Sequence, residues 1–147
     1  AAPEYRNADE GWGIPVVPPF KGDLDLSWHL IESLVGDEFD VVSCQEMVVD
    51  HAITLPLALM YPSQAWPLKI VPVCINTVQF PLPSARRCWA LGEAVGRAIR
   101  SFGGDEKVVV MGSGSNGAAG LQRDHTVSRA KRAIIGTSRK LDRPIIG

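Results

Sequence analysis

The sequence has few cysteines, few histidines and no long apolar run, and these shortages exclude several classes of protein. No uninterrupted apolar segment reaches the roughly 18 residues of a membrane span. The cysteines Cys44, Cys74 and Cys88 are too few and too far apart for a disulfide framework or a zinc site, so we expect reduced, mostly buried thiols. The first residues, "AAPEYRNADEGWG", lack the basic-then-apolar layout of a secretory signal. We therefore expect a cytoplasmic protein.

Motifs for a bound metal or nucleotide are also scarce. None of the histidines has metal-ligand spacing to another histidine. The glycine-rich stretch "MGSGSNGAAG" follows a β-branched run but lacks the lysine of a P-loop. Gly112, Gly114 and Gly117 match the GxGxxG spacing of a dinucleotide-binding turn, yet no acidic residue closes a following strand about 20 residues later. Nucleotide binding therefore stays an alternative to an ordinary strand-to-helix connection.

Acidic and basic residues are unevenly distributed, although the formal net charge is only −1. Residues 1–120 contain eight Lys and Arg against 14 Asp and Glu, whereas residues 121–147 contain seven against two. A basic segment can bind nucleic acid, but this one lacks the interleaved aromatic side chains on which bases stack. We therefore expect no nucleic-acid partner, and a change in the character of the chain near residue 115.

The order of predicted elements is typical of an α/β protein. Apolar residues recur at helical spacing in some segments, and β-branched residues concentrate in others. The predicted helices cover 23–36, the residues after His51 up to Met60, and 85–102, and the predicted strands cover 38–45, 67–78 and 105–112. Asp23 or Asp25 and Ser84 are the expected helix caps, and Pro72 favours an edge strand. The alternation predicts a fragment of a mixed or mostly parallel sheet with helices packed on its faces.

Three regions follow from these patterns. Residues 1–22 include three prolines in "GIPVVPPFKGD" and predict an extended Pro-rich arm that lies over a surface. Residues 23–114 form the α/β part. Residues 115–147 form a divergent basic tail with weak periodicity, in which "RAII" is the best candidate element.

His51 is the strongest candidate for a chemical role. It follows a β-branched run and Asp50 precedes it, and imidazole transfers protons near neutral pH because its ordinary pKa is about 6.5. From residue type and setting alone, a core histidine bonded to a backbone carbonyl is the favoured interpretation. His29 lies beside the apolar face of the first helix and is expected at its boundary. Arg86 and Arg87 could bind a carboxylate, but they are expected to face solvent.

A long, collinear resemblance to a known family covers about residues 4–114. It rests on "EGWGIPVVPPFKGDLDLSWHLIESLVGDEFDVVSCQEMVVDHAITLPLALMYP" and on "WPLKIVPVCINTVQFPLPSARRCWALGEAVGRAIRSF". These stretches resemble the class III extradiol ring-cleaving dioxygenases, nearest to the members that cleave protocatechuate. The resemblance implies an oxidoreductase of aromatic catabolism, which opens a carboxylated catechol with O2 beside its two hydroxyls.

The resemblance also implies an Fe(II) cofactor and gives His51 a role. Family members bind non-haem iron through two histidines N-terminal to the matched region and a glutamate C-terminal to it, so no iron ligand is expected in this chain. A histidine in a "VDH" segment serves as an acid/base or substrate-orienting group, and Val49-Asp50-His51 matches that segment. His51 thereby becomes the preferred catalytic residue. The family also implies a small α-chain partner and a homo-oligomer.

The match stops at the family's active-site loop. A second histidine, the general base, lies in a loop of the form GTGGxSHQ, and its position falls on Ala118 or a neighbour in this chain. Because the resemblance ends after Gly114 and the charge changes sign there, we hypothesise that the tail is encoded out of frame. Coding DNA that gives this tail in every independent read would contradict this. The chain alone is expected to be inactive, and the alternative function is a non-catalytic α/β scaffold that has lost the iron site.

Overall fold

The computed structural model describes residues 1–8, 17–63, 66–76, 80–103 and 106–113, together with the backbone of 132–138. Strands and helices follow one another in these ranges. The strands are β1 (Glu4–Asn7), β2 (Phe20–Lys21), β3 (Val48–Val49), β4 (Lys69–Val73), β5 (Lys107–Ser113) and β6 (Arg132–Ser138). The helices are α1 (Leu24–Gly36), α2 (His51–Met60) and α3 (Ala85–Ser101).

The described strands form two three-stranded sheets. In the first sheet β1 is central, antiparallel to β2 and parallel to β3. In the second sheet β6 lies between β4 and β5 and is antiparallel to both. The predicted α/β class and mixed sheet are confirmed, although antiparallel pairs outnumber the parallel pair. Pro72 lies in β4 at the edge of the second sheet, where its missing N–H is tolerated.

Gly22 and Asp23 connect the two sheets. Gly22 forms an isolated parallel bridge to Ile70 of β4, and the Asp23 N–H donates to the Ile70 carbonyl at 3.1 Å. The Gly22 N–H donates to the Pro3 carbonyl at 2.8 Å. A Cβ at residue 22 would overlap the Ala2 carbonyl oxygen, so the close approach of the two segments requires glycine.

Two apolar clusters form the core. The first lies between the first sheet and α2, and its buried members are Ala2, Tyr5, Val17, Phe20, Val49, Ile53, Leu57 and Ile70. The second lies where α1 and α3 pack on the second sheet, and its buried members are Leu26, Leu30, Val71 and Ala98. Ala94 and Ala98 are the buried residues of α3, and their small side chains allow α3 to approach α1 closely.

A Schellman motif ends α1, and α3 supports it. The Glu38 N–H donates to the Val35 carbonyl at 3.0 Å, and the Phe39 N–H donates to the Leu34 carbonyl at 2.9 Å. Glu38 takes the left-handed position of this motif, with φ of 63°, where glycine is usual. The Arg87 guanidinium lies 4.1 Å from the centre of the Phe39 ring and donates to the Glu38 carbonyl at 3.2 Å. Residue 87 therefore holds the end of α1 against α3.

The structure corrects several predictions from the sequence. The strand predicted over 38–45 does not form, because the Schellman turn redirects the chain, and Val42 is 97% exposed. Segment 1–22 contains β1 and β2 and contributes Tyr5 and Phe20 to the core, so its described part is no surface arm. Cys44 and Cys74 are exposed and Cys88 is half-buried, so the expectation of mostly buried thiols is wrong.

The predicted helices are confirmed, and the tail contributes an element. Segment "RAII" lies within β6, the central strand of the second sheet. Large apolar side chains are exposed on α2, α3 and β5, among them Leu59 at 72%, Trp89 at 74% and Val109 at 64%. None of the described helices is both long and apolar enough to cross a membrane.

Candidate functional site

The candidate site lies at the carboxyl end of β3. Asn7 of β1 lies opposite Val49 of β3 in a parallel pair, and the Ala8 N–H donates to the Val49 carbonyl at 2.8 Å. The strand ends at that residue, Asp50 follows, and His51 begins α2. Ligands of α/β proteins bind beyond the carboxyl ends of parallel strands. The fold therefore places His51 where a ligand-binding residue is expected.

Asp50 connects β3 to α2 and caps the helix. Its Oδ1 accepts the Ala52 N–H at 3.1 Å, and its carbonyl accepts the N–H groups of Ile53 and Thr54, each at 3.0 Å. The Thr54 Oγ1 hydroxyl also donates to that carbonyl, at 3.2 Å. Asp50 has the extended backbone of an N-cap residue, with φ of −95° and ψ of −179°. These four hydrogen bonds fix the direction in which α2 leaves the sheet.

His51 is half-buried between buried neighbours. Val49 is fully buried, and Ala52 and Ile53 pack in the core, whereas His51 itself retains access to solvent. The backbone on both sides of the histidine is thus anchored, whereas the histidine itself is only half-buried. Pro56 lies in the second turn of α2, so the hydrogen bond that a residue 56 N–H would donate to the Ala52 carbonyl cannot form.

The other candidate side chains have structural partners. His29 is half-buried, as expected for a boundary residue, and its Nε2 lies 2.8 Å from the Ala98 carbonyl oxygen and 3.1 Å from the Ser101 Oγ. These contacts tie α1 to α3. Arg86 and Arg87 are exposed, as predicted, and the Arg87 guanidinium donates to the Glu38 carbonyl at the end of α1.

The cysteines and the glycine-rich loop add little to the site. Cys74 is exposed at the surface, but partial desolvation raises the pKa of its thiol, and the charge of the neighbouring Cys44 raises it further, so Cys74 is a poor nucleophile near neutral pH. Strand β5 ends at Ser113. The remaining residues of the predicted loop, Gly114, Gly117 and Ala118, lie outside the described residues, as does His125.

The described residues do not fit an iron site. Within those ranges, no three His, Cys, Asp or Glu side chains lie close enough together to hold a metal ion. His51 has a carboxylate neighbour in the sequence, but that carboxylate caps α2.

The capping function of Asp50 was not predicted from the sequence, and the chemical role of His51 stays a prediction. An aspartate immediately before an apolar helix is a typical N-cap signal, and it was available in the sequence. The ion pair between Lys69 Nζ and Asp23 Oδ2, at 3.7 Å, was also missed. Its partners lie far apart in the chain, and no local pattern indicates that they meet.

Comparison with known proteins identifies relatives over most of the chain. The family described as "Catalytic LigB subunit of aromatic ring-opening dioxygenase" matches residues 1–126. Gallate dioxygenase of Pseudomonas putida is 40% identical over 108 residues, which are 73% of this chain and 32% of that protein.

Two further relatives are each named 2,3-dihydroxyphenylpropionate/2,3-dihydroxicinnamic acid 1,2-dioxygenase. The protein from Photorhabdus laumondii is 40% identical over 113 residues, which are 74% of this chain and 33% of the relative. The protein from Mycobacterium ulcerans is 36% identical over 90 residues, which are 61% of this chain and 28% of the relative. This chain thus spans about a third of the length of the curated relatives it matches. The family match covers most of the chain and confirms the resemblance seen in the sequence: the chain belongs to the LigB family, the catalytic subunits of aromatic ring-opening dioxygenases.

Proposed function

We propose that this chain is part of an extradiol dioxygenase that opens a carboxylated, protocatechuate-type catechol with O2, and that His51 is its acid/base residue. The observation that supports this most directly is the position of Val49-Asp50-His51. The segment lies at the carboxyl end of a parallel strand, in a chain of the ring-opening family. The proposal concerns the complete protein, because the chain spans about a third of its relatives.

The names of the relatives support the substrate class. One acts on gallate, and others act on 2,3-dihydroxyphenylpropionate or the corresponding cinnamic acid. All of these compounds carry adjacent ring hydroxyls and a carboxyl group. We therefore assign to this protein a catechol that bears a carboxylate.

The chemistry assigned to His51 is proton transfer. Oxidative opening of a catechol requires removal of a hydroxyl proton and later protonation of a departing oxygen. A half-buried imidazole on an anchored backbone can accept and return such a proton at a fixed place. Loss of a positioned acid/base group typically lowers the rate by about 10²- to 10⁴-fold.

We assign the Fe(II) ligands to the sequence that flanks the matched region, with two histidines before it and a glutamate after it. Within the described residues no donor cluster for iron occurs, and the family resemblance gives the ligands to flanking sequence. The same resemblance supports a small α chain and a homo-oligomer as partners, and a cytoplasmic location.

The test uses the complete protein expressed from its natural coding DNA and reconstituted with Fe(II). Oxygen uptake and the absorbance of the ring-opened product are followed with protocatechuate, gallate and 2,3-dihydroxyphenylpropionate. His51→Ala should lower kcat by about 10²- to 10⁴-fold. His29→Ala is the matched control, because it removes a histidine that ties α1 to α3 and should leave kcat nearly unchanged.

The two functional hypotheses predict different results in this assay. A dioxygenase consumes O2 with at least one of the three substrates and depends on His51. A non-catalytic scaffold shows no uptake above the buffer rate when iron is supplied. Equal loss of kcat in the two histidine variants would contradict the assignment of His51.

A further inference from the structure

We propose that Asp50 is a positioning residue for His51, a role that rests on the proposed function. The carboxylate and carbonyl of Asp50 hold the first turn of α2, and His51 is the first residue of that turn. Asp50 acts through the backbone that carries the imidazole. Replacement of Asp50 is therefore expected to lower turnover, although Asp50 itself transfers no proton.

Asp50 bonds the hydrogen-bond donors at the start of α2. The first N–H groups of any helix have no carbonyl within the helix to bond. In α2 the Ala52 N–H is bonded by the Asp50 carboxylate, and the Ile53 N–H is bonded by the Asp50 carbonyl. One residue thus satisfies two of the donors that would otherwise need water, and these donors directly follow His51.

Without this cap, α2 is a weak helix. The helix has ten residues, and isolated helices shorter than about 12–15 residues are marginal in water. Pro56 further removes the hydrogen bond that would close on the Ala52 carbonyl. Packing of Ala52 and Ile53 in the core also holds this turn, but the hydrogen bonds within the helix contribute little, so the cap contributes more than it would in a longer, uninterrupted helix.

The cap of α3 differs from that of α2 in having no candidate acid or base beside it. Ser84 caps α3 in the same way, since its side chain accepts the Arg87 N–H at 3.1 Å. The first turn of α3 carries no candidate acid or base. Loss of either cap should lower stability to a similar degree, and only loss of the Asp50 cap should disturb His51. Ser84 therefore supplies a matched control.

The experiment compares Asp50→Ala, Asp50→Asn and Ser84→Ala in the complete, iron-reconstituted protein. Asparagine caps helices about as well as aspartate, so Asp50→Asn should retain most of kcat. Asp50→Ala should lower kcat by roughly 10- to 100-fold with little change in KM, because a misplacement near 1 Å costs about that much. Ser84→Ala should leave kcat within about twofold of the wild type.

Two further measurements separate positioning from general stability. Hydrogen exchange of the peptide that covers residues 51–54 should quicken by roughly 5- to 30-fold in Asp50→Ala, the factor that corresponds to a lost cap, and should not change in Ser84→Ala. In a His51→Ala background, Asp50→Ala should lower kcat no further, because residues that act as a unit are non-additive.

Each result decides the proposal. An additional loss of kcat in the double variant would overturn the proposal, because Asp50 would then act independently of His51. A loss in Asp50→Asn as large as in Asp50→Ala would also overturn it, because Asp50 would then act by its charge. A wild-type protein without turnover would refute the proposed function. In that case exchange at residues 51–54 still decides whether Asp50 holds this turn, and unchanged exchange in Asp50→Ala would overturn the inference.

Discussion

Replacement of the buried carboxylate of Asp23 should destabilise the protein more than any other loss of a helix cap among those described. Asp23 is 1% exposed, and its Oδ1 accepts the Leu26 N–H at 3.1 Å at the start of α1. Its Oδ2 lies 3.7 Å from Lys69 Nζ on β4. The side chain therefore caps a helix and links that helix to the second sheet.

The magnitude of the effect follows from these two contacts. Loss of an N-cap costs about 0.5–2 kcal/mol. The Lys69 side chain is 47% exposed, so its ammonium is rehydrated when Asp23 is removed, and the ion pair contributes about 0–1 kcal/mol. Asp23→Ala should therefore lower the free energy of unfolding by roughly 0.5–3 kcal/mol. Asp23→Asn retains the cap and should lose only the contribution of the ion pair.

Urea denaturation followed by circular dichroism at neutral pH measures these differences. Ser84→Ala is the control, since it removes an exposed cap that has no ion pair in the described contacts. Lys69→Met, alone and combined with Asp23→Ala, gives the coupling between the two side chains. The reasoning is refuted if Asp23→Asn is as destabilising as Asp23→Ala, or if Asp23→Ala costs less than Ser84→Ala.

Two further predictions concern the end of α1 and the thiols. Glu38→Gly should raise the free energy of unfolding by about 0.5–1 kcal/mol, because φ of 63° suits glycine, whereas Glu38→Ala should give no gain in the same denaturation assay. Because partial desolvation and Cys44 raise the pKa of Cys74, less thiolate is present at pH 8, so iodoacetamide should label Cys74 more slowly than a cysteine in a short peptide. Labelling of Cys74 should quicken in Cys44→Ser. If Cys74 of the wild-type protein reacts as fast as the peptide cysteine, the direction of its pKa shift is contradicted.

Local patterns were sufficient to predict the helices. The helical spacing of apolar residues in α1 and α3 matches the faces that pack, and Asp23 and Ser84 are caps as expected. These features depend on residues a few positions apart, which sequence reasoning handles well. Strand β3, which directly precedes Asp50 and His51, was not predicted, and the role of His51 stays a prediction.

Features that depend on distant parts of the chain could not be predicted in the same way. The segment after α1 has the β-branched composition of a strand, but a turn centred on Glu38 and stabilised by Arg87 redirects it. Tyr5 and Phe20 are buried through pairing of β1 with β2, which the intervening prolines obscured. In each case a tertiary contact outweighed the local preference.

The central place of β6 has a consequence for the order in which the protein forms during synthesis. The strands β4 and β5 do not pair with each other, and each pairs with β6, in which Ser138 lies opposite Lys107. The first sheet is complete once β3 has left the ribosome, whereas the second must wait until residue 138 is available. Until then β4 and β5 are unpaired edges of the kind that invite association with other chains. Late closure of this sheet, with its long-range pairing, is therefore the slow and vulnerable stage of folding.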